Sequence, residues 1–464
     1  MSTASTSAGP LIPLRRPEYV SSPELLISSL AWNRRSMPDL TSESGLPIGL
    51  AYRTDKTSSR TIEFRSTAPD ARDVALWGDA LMAQGIDGGL HQQVIGTALA
   101  NSVEGVRPRK STTQGILPLS PSMALLQNAR GMLGKRNPPD LGEILETCHE
   151  LGGGEYGEAS AGWFRAVGRR LQNEPILSAL DNAFATRLPA EVVEIGPGTG
   201  SAPGWSLPWS PFAWFVDAWA KLTSDAWVDA LPARRWNDWA TTVLRNVIGF
   251  GFLWEASWHE QVARAVLVAA SDEPVVGELD RLTARTHQVV PWFPAKEAVS
   301  VRDVAGKLKS LVARGAGCRA VLADHDVSGS VAEAVPRLAV KPEVVDGLRA
   351  AFRPAPRAGS NIWEAVKYAL LARERVGDAA DHYGFFESRG RYLLPAPATE
   401  WIAVVASLTA SGPGQTTTLG DVIKDLHRMG LDPHTSAVLA LLEAAGLARG
   451  AADADQSVEV HTAY

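Results

Sequence analysis

Cysteine is nearly absent: Cys148 and Cys318 are the only two in 464 residues. Neither a disulfide framework nor a four-cysteine zinc site can be built from them, and a reducing compartment fits. Long apolar runs are also missing. The longest are broken by Arg245, Glu255, His259 or Arg264, short of the roughly twenty residues a membrane helix needs. Met1 to Leu14 is rich in Ser, Thr, Ala and Pro and has no run of signal-peptide length. A cytoplasmic protein without a membrane partner is expected. No GxxxxGK[ST] loop and no GxSxG elbow occurs, so neither P-loop hydrolysis nor an α/β-hydrolase site is indicated. Cys148-His149-Glu150 and Asp324-His325-Asp326 set potential ligands side by side, where neighbouring side chains point apart, so no metal is expected. The second cluster is read as a turn or cap after a strand over Arg319 to Leu322. Cationic excess is lacking as well. A formal charge of -6 argues against a surface coated for nucleic acid and leaves only local basic patches.

What the chain has instead is tryptophan. Nine of its fifteen lie between Pro203 and Ala270. From Trp236 onward Trp239, Val243, Val247, Phe250, Trp254, Trp258, Val262 and Val266 recur in steps of three or four, the stripe of a long helix facing the core. Asp238, Thr242, Arg245, Asn246 and Glu260 fall on its other faces. Gly249 and Gly251 predict a kink or a break into two helices. Each buried indole removes on the order of 200 Å² from water, so this segment should centre the main core.

A chain of 464 residues exceeds one ordinary core, and the pattern divides it as follows. Residues 1–20 read as a disordered tail. Residues 21–104 read as a small α+β unit: a helix from Pro23 to Trp32, a hairpin of Ile48 to Ala51 with Thr61 to Arg65, and a helix from Asp70 to Met82. Residues 105–154 form a basic connector with helices at Ser122 to Leu133 and Leu141 to Leu151, and the triple glycine Gly152 to Gly154 marks a boundary. Residues 155–340 form the Trp-rich helical domain, which opens with helices over Ala161 to Leu171 and Pro175 to Phe184.

Between Gly105 and Pro139 there is no acidic residue, while Arg107, Arg109, Lys110, Arg130, Lys135 and Arg136 give the stretch a charge of +6. A flexible connector of this kind, with Ser111 to Gln114 among the cations, can follow a phosphate backbone; a solvated loop leading into a helix has the same composition.

Ala190 to Gly200 reads AEVVEIGPGTG. Its β-formers followed by Gly196, Gly198 and Gly200 resemble the first motif of class I S-adenosylmethionine-dependent methyltransferases. The resemblance implies a cofactor held by those glycines, with Glu194 orienting the turn. Such a motif needs a strand, the turn and then a helix. Pro203, Pro208 and Pro211 instead follow the turn, which favours a Gly/Pro connector and no cofactor.

In residues 341–397, helices over Pro342 to Phe352, Ile362 to Arg373 and Asp378 to Phe386 lead to a strand at Arg391 to Leu394. This reads as a degenerate copy of the last module, residues 398–464. There a helix through Trp401 and Leu408 is followed by one from Leu419 to Met429, capped by Thr418 and stopped by Gly430. Asp432-Pro433 then opens a helix to Ala445, stopped by Gly446, and Leu447 to Arg449 with Ser457 to His461 supply a hairpin. Three helices and a hairpin resemble a winged-helix domain. Its last helix carries no Lys or Arg, and Thr416 to Tyr464 holds three cations against seven carboxylates, a net of -4 that phosphate would repel. Contact with a protein or with a second copy is therefore preferred to contact with DNA.

The sequence predicts a mainly α, multidomain chain: a non-catalytic subunit of a multiprotein, nucleic-acid-associated assembly of bacterial antiviral-defence or DNA-processing type. Its basic stretch would meet nucleic acid and its last module other subunits. The alternatives are a winged-helix transcriptional regulator and a divergent methyltransferase.

Overall fold

The computed structural model describes residues 8–17, 23–36, 49–54, 61–65, 78, 81–82, 85, 102–105, 113–133, 140–196, 204–271, 288–353, 358–373, 381–448 and 457–464. The fold is mainly helical and is arranged around one helix, Ala233–Ala269. At 1.5 Å per residue its 37 residues span about 55 Å. Trp236, Trp239, Val243, Val247, Phe250, Trp254, Trp258, Val262 and Val266 are buried, as their spacing requires. The other faces are buried too, including Thr242, Arg245, Asn246 and Glu260, because helices surround this one instead of leaving a side to solvent.

The expected break at Gly249 and Gly251 does not occur. Both glycines sit where a neighbour presses on the helix: a Cβ at Gly249 would lie 2.3 Å from Leu370 Cγ, and one at Gly251 would lie 2.9 Å from Phe212 Cε1. Each glycine costs helix stability of about 1 kcal/mol. Close packing is what that cost serves.

In chain order the surrounding helices are α1 Glu24–Trp32, α2 Pro121–Leu125, α3 Ala129–Leu133, α4 Leu141–Leu151, α5 Glu158–Asn173, α6 Pro175–Ala185, α7 Pro211–Leu222 and α8 Asp225–Ala230, before the central α9. After it come α10 Val299–Arg302, α11 Ala305–Ala323, α12 Val331–Ala339, α13 Pro342–Ala351 and α14 Ser360–Leu370. The expected strand at Arg319 to Leu322 is the last full turn of α11. Asp140 caps α4 by accepting from Glu143 N at 3.0 Å. The N-terminus of α5 is capped by a different helix: Glu146 of α4 accepts from the amides of Gly157, Ala159 and Ser160, since Gly157 has no side chain with which to do it.

The segment read as a tail is packed where it is described. Ala8, Ile12 and Leu14 are buried. Ala8 O accepts from Val331 N at 2.8 Å, Ile12 N donates to His259 Nε2 at 3.2 Å, and Leu14 O accepts from Arg319. Apolar side chains at every second or third position suffice to hold this short stretch in a groove.

Strands β2 Gly49–Thr54 and β3 Thr61–Arg65 pair in parallel, not as a hairpin, and the antiparallel partner of β2 is β4 Thr113–Gln114. Alternation identifies strands but does not give their direction, which the connection sets. Thr113 and Gln114, assigned to a flexible connector, are thus part of a sheet. The expected helix over Ser122 to Leu133 is two helices because Asn128 turns aside: its side-chain oxygen accepts from Leu50 N at 3.1 Å and Gly131 N at 2.9 Å. Nearly all of the helix expected from Asp70 to Met82 lies outside the described residues.

The helix expected over Asp378 to Phe386 is replaced, in its described part, by a turn and by β7 Phe386–Arg389, which pairs antiparallel with β8 Tyr392–Pro395. Asp381 is drawn into an ion pair with Arg245, and the Phe385 ring packs among Phe250, Trp292 and Trp401. Buried apolar side chains from Ala8 to Val460 form one contiguous cluster; a smaller one, including Leu50, Ile116, Met123 and Phe184, lies under the β2 sheet. Among the described residues no helix is long and apolar enough to cross a membrane.

Candidate functional site

The C-terminal part of the chain holds α15 Thr399–Thr409, followed by β9 Thr416–Thr418, α16 Leu419–Arg428, β10 Leu431–Pro433, α17 Thr435–Ala444 and β11 Glu459–His461. Thr418 caps α16, accepting from Asp421 N at 3.1 Å. With Lys424 and Thr418 both donating to it, the Asp421 carboxyl is held below the usual carboxylate range. Leu419, Val422, Ile423 and Leu426 are the buried face of α16. Gly430, at φ 82°, makes the left-handed exit that a side chain would resist.

Asp432 and Pro433 do not open the next helix, as their sequence suggests, but belong to β10, which lies parallel to β6 Val290–Trp292. His434 is the N-cap of α17, and its amide donates to Trp292 O at 2.8 Å. β9 pairs antiparallel with β11, and Ala448 bridges to Val460 on the same strand. The β9 strand escapes sequence reading because its Thr-Thr-Thr resembles a polar loop.

Ala437, Val438 and Leu442 bury one side of α17, while His434, Thr435, Ser436, Ala440, Glu443 and Ala444 are exposed. That face carries no cation. Nearby cations are engaged: Lys424 by Asp421 at 2.8 Å, and Arg428 by Asp217 at 2.7 Å and Asp425 at 3.1 Å. A small-residue face with hydroxyls at one end and a carboxylate at the other offers no charge to hold phosphate. The end of α15 is fixed to α7: Lys221 Nζ donates to Leu408 O at 2.7 Å and Thr409 O at 3.1 Å.

Of the basic residues singled out in the sequence, only Arg130 is described. It is half-buried on α3, whose Gly131 presses against the backbone of Leu50. Arg107, Arg109, Lys110, Lys135 and Arg136 lie outside the described residues. In the glycine motif, β5 Val193–Glu194 is a two-residue exposed strand paired antiparallel with β1 Arg35–Ser36. Glu194 meets Arg35 at 3.2 Å. Gly196 is exposed, and Gly198 and Gly200 lie outside the described residues. This is not the buried parallel strand that a dinucleotide-type turn starts from.

Cys148, His149 and Glu150 lie within α4. Burial pushes the Cys148 thiol up and the His149 imidazole down, with the nearby Glu146 opposing the latter. Asp326 accepts from Ser328 N at 3.0 Å, a turn contact. Among the described residues no three His, Cys, Asp or Glu side chains gather where they could hold a metal.

Two ionic centres inside the core were not anticipated. Arg245 and Asp381 form a two-pronged pair at 3.0 Å on both oxygens, with Arg373 beside them. Glu255 lies 3.2 Å from Arg319 Nε and 3.9 Å from His259 Nδ1. The sequence signal was a charge interrupting an apolar run; it names one partner and not the other. An open groove of about 420 Å³ is lined by Arg170, Asn173, Glu174 and Asp229, but Arg170 is already held by Glu174 and Leu231 O. No family model matches the chain, and no curated protein matches it.

Proposed function

We propose that the chain is a non-catalytic subunit of a multiprotein assembly acting on nucleic acid, of bacterial defence or DNA-processing type, with residues 398–464 a winged-helix module that holds another subunit. The cation-free exposed face of α17 carries this reading. The order helix, strand, helix, short strand, helix and a last strand that pairs back onto the first, with Ala448 bridging to that last strand, supports the winged helix, and that face supports protein as its occupant.

Purification of a tagged full-length chain from its native cells tests it. Defined companions in fixed ratio are expected with the wild type and should be lost with Ala440→Arg and Ala444→Arg, which leave the buried side of α17 intact. A chain recovered alone, or companions retained by both variants, would sink the reading. The order of elements alone equally suits a transcriptional regulator. That alternative predicts a discrete duplex sequence bound through His434 to Ser436, and binding lost with Ser436→Glu.

A further inference from the structure

Many surface cations of the described chain are spent on carboxylates: Arg165 on Glu158, Arg169 on Asp225 and Asp229, Lys424 on Asp421. At the start of α11 they are not. Residues 293–310 hold Lys296, Arg302, Lys307 and Lys309 against Glu297 and Asp303, and the β7–β8 hairpin adds Arg389 and Arg391 against Glu387. Arg302 is buried; the other five cations against three carboxylates leave +2 at the surface, in a chain whose total is -6.

Main-chain bonds tie the two pieces together. Val304 N donates to Leu393 O at 2.9 Å, and Asp303 Oδ1 accepts from Leu393 N at 2.8 Å and Ala305 N at 3.2 Å. Leu393 is two residues past Arg391 at the hairpin tip, and Val304 is three before Lys307, so the tip lies against the start of α11, where Lys307 and Lys309 emerge on either side of the buried Leu308. Those amides occupy Asp303, and Arg389 occupies Glu387 at 2.8 Å. Lys296, Lys307, Lys309 and Arg391 are exposed and, among the described residues, have no carboxylate within ion-pair distance. Arg391 lies over the Tyr392 ring at 5.0 Å. At the junction with α17 stands Phe293, 37% exposed.

We infer that this edge is a nucleic-acid contact, separate from the 105–139 stretch, in which Lys307, Lys309 and Arg391 meet phosphates and Phe293 offers a ring to an unstacked base. It rests on the assembly reading and gives that reading a structured place for the acid. Exposed lysines without a fixed partner suit a phosphate backbone, which asks for charge and little orientation. The exposed ring of Phe293, fourteen positions before Lys307 in the chain, adds stacking that an acidic peptide does not need.

Fluorescence anisotropy of the full chain with labelled single-stranded and duplex DNA, at about 50 and 200 mM salt, tests the inference. Wild-type binding should fall steeply with salt. Lys307→Glu/Lys309→Glu/Arg391→Glu should weaken it by about tenfold or more and reduce the salt slope by about three, one per lost phosphate contact; Arg349→Glu, on α13, should change neither. Phe293→Ala should weaken single strands more than duplex. The triple Gln variant serves if the reversed one fails to fold by circular dichroism. Unchanged affinity of the patch variants beside a binding wild type overturns this edge and leaves the assembly reading standing. Absence of binding by the wild type overturns both. Equal competition by poly-glutamate reassigns the edge to an acidic protein.

Discussion

Arg245 and Glu255 lie about 15 Å apart along α9, both buried, yet their surroundings differ in kind. Arg245 donates from Nε to Ala369 O, from both Nη atoms to Asp381 and from Nη2 to Leu371 O. Asp381 also accepts the amides of Arg373 and Tyr383. Burial alone would raise the Asp381 carboxyl, but Arg245 and Arg373 hold it far below the usual range. At Glu255 the order reverses: burial pushes the carboxyl up to about 7 against the pull of Arg319 and Arg16, and neither Glu255 Oε1 nor Arg319 Nε finds hydrogen-bond geometry. A buried charge is held by satisfied hydrogen bonds more than by proximity to an opposite charge. The first centre locks Leu371 to Arg373 and Asp381 to Phe385 onto α9; the second packs against the N-terminal segment without pinning a proton.

The largest effect should come from breaking the satisfied centre. Asp381→Ala leaves two buried guanidinium groups without the carboxylate between them and should cost about 3–5 kcal/mol, read as a fall in denaturant midpoint. Replacing both partners, Arg245→Met with Asp381→Leu, should cost less than the single change. A single variant as stable as the wild type would remove the distinction between the two centres.

The second effect is in pH dependence. Glu255, with a folded pKa of about 7 against the ordinary 4.5, binds more protons folded than unfolded between those values. Its contribution is therefore present at low pH and lost as pH rises toward 7. His259, pushed down to about 3 by burial and by Arg319 from 6.5, binds fewer protons folded, so its contribution is lost as pH falls from 6.5 toward 3. Between about pH 4.5 and 6.5 the two oppose each other, each on the order of 3 kcal/mol. The wild type should be nearly flat there. Glu255→Gln should make stability rise with pH over that window, and His259→Gln should make it fall. Melting curves from pH 4.5 to 7 decide this; the same slope in both variants would refute the opposition.

Both centres show where sequence reading stops. The period of Trp236 to Val266 was legible because a helix buries a stripe whatever lies across from it. That Arg245 would find Asp381, 136 positions away, has no local signature, and the apolar residues before Phe386 imitated a helix. Leu141–Leu151 and Pro175–Ala185 were readable almost to the residue because caps and prolines mark their ends. The direction of β2 and β3, set by long-range pairing, was not. Of the candidate site, the cation-free face of α17 was visible in composition, but the edge at Lys307 and Arg391 required the fold to bring together segments some eighty residues apart.

Two glycines give the smallest effect, from the same confusion between local and distant causes. Gly306, in the first turn of α11, has nothing within 4 Å of the position a methyl would take, so Gly306→Ala should stabilise by about 0.5–1 kcal/mol through backbone entropy and helix propensity. Gly249→Ala puts its methyl 2.3 Å from Leu370 Cγ and should destabilise by about 1–3 kcal/mol through overpacking, although the intrinsic preference is the same. Leu370→Ala in the Gly249→Ala background should recover part of that loss, because the clash is with that side chain and not with main chain. If the two glycine variants shifted the melting temperature in the same direction, α9 would be shown to yield at Gly249, and the tight contact that accounts for its unbroken course would have to be abandoned.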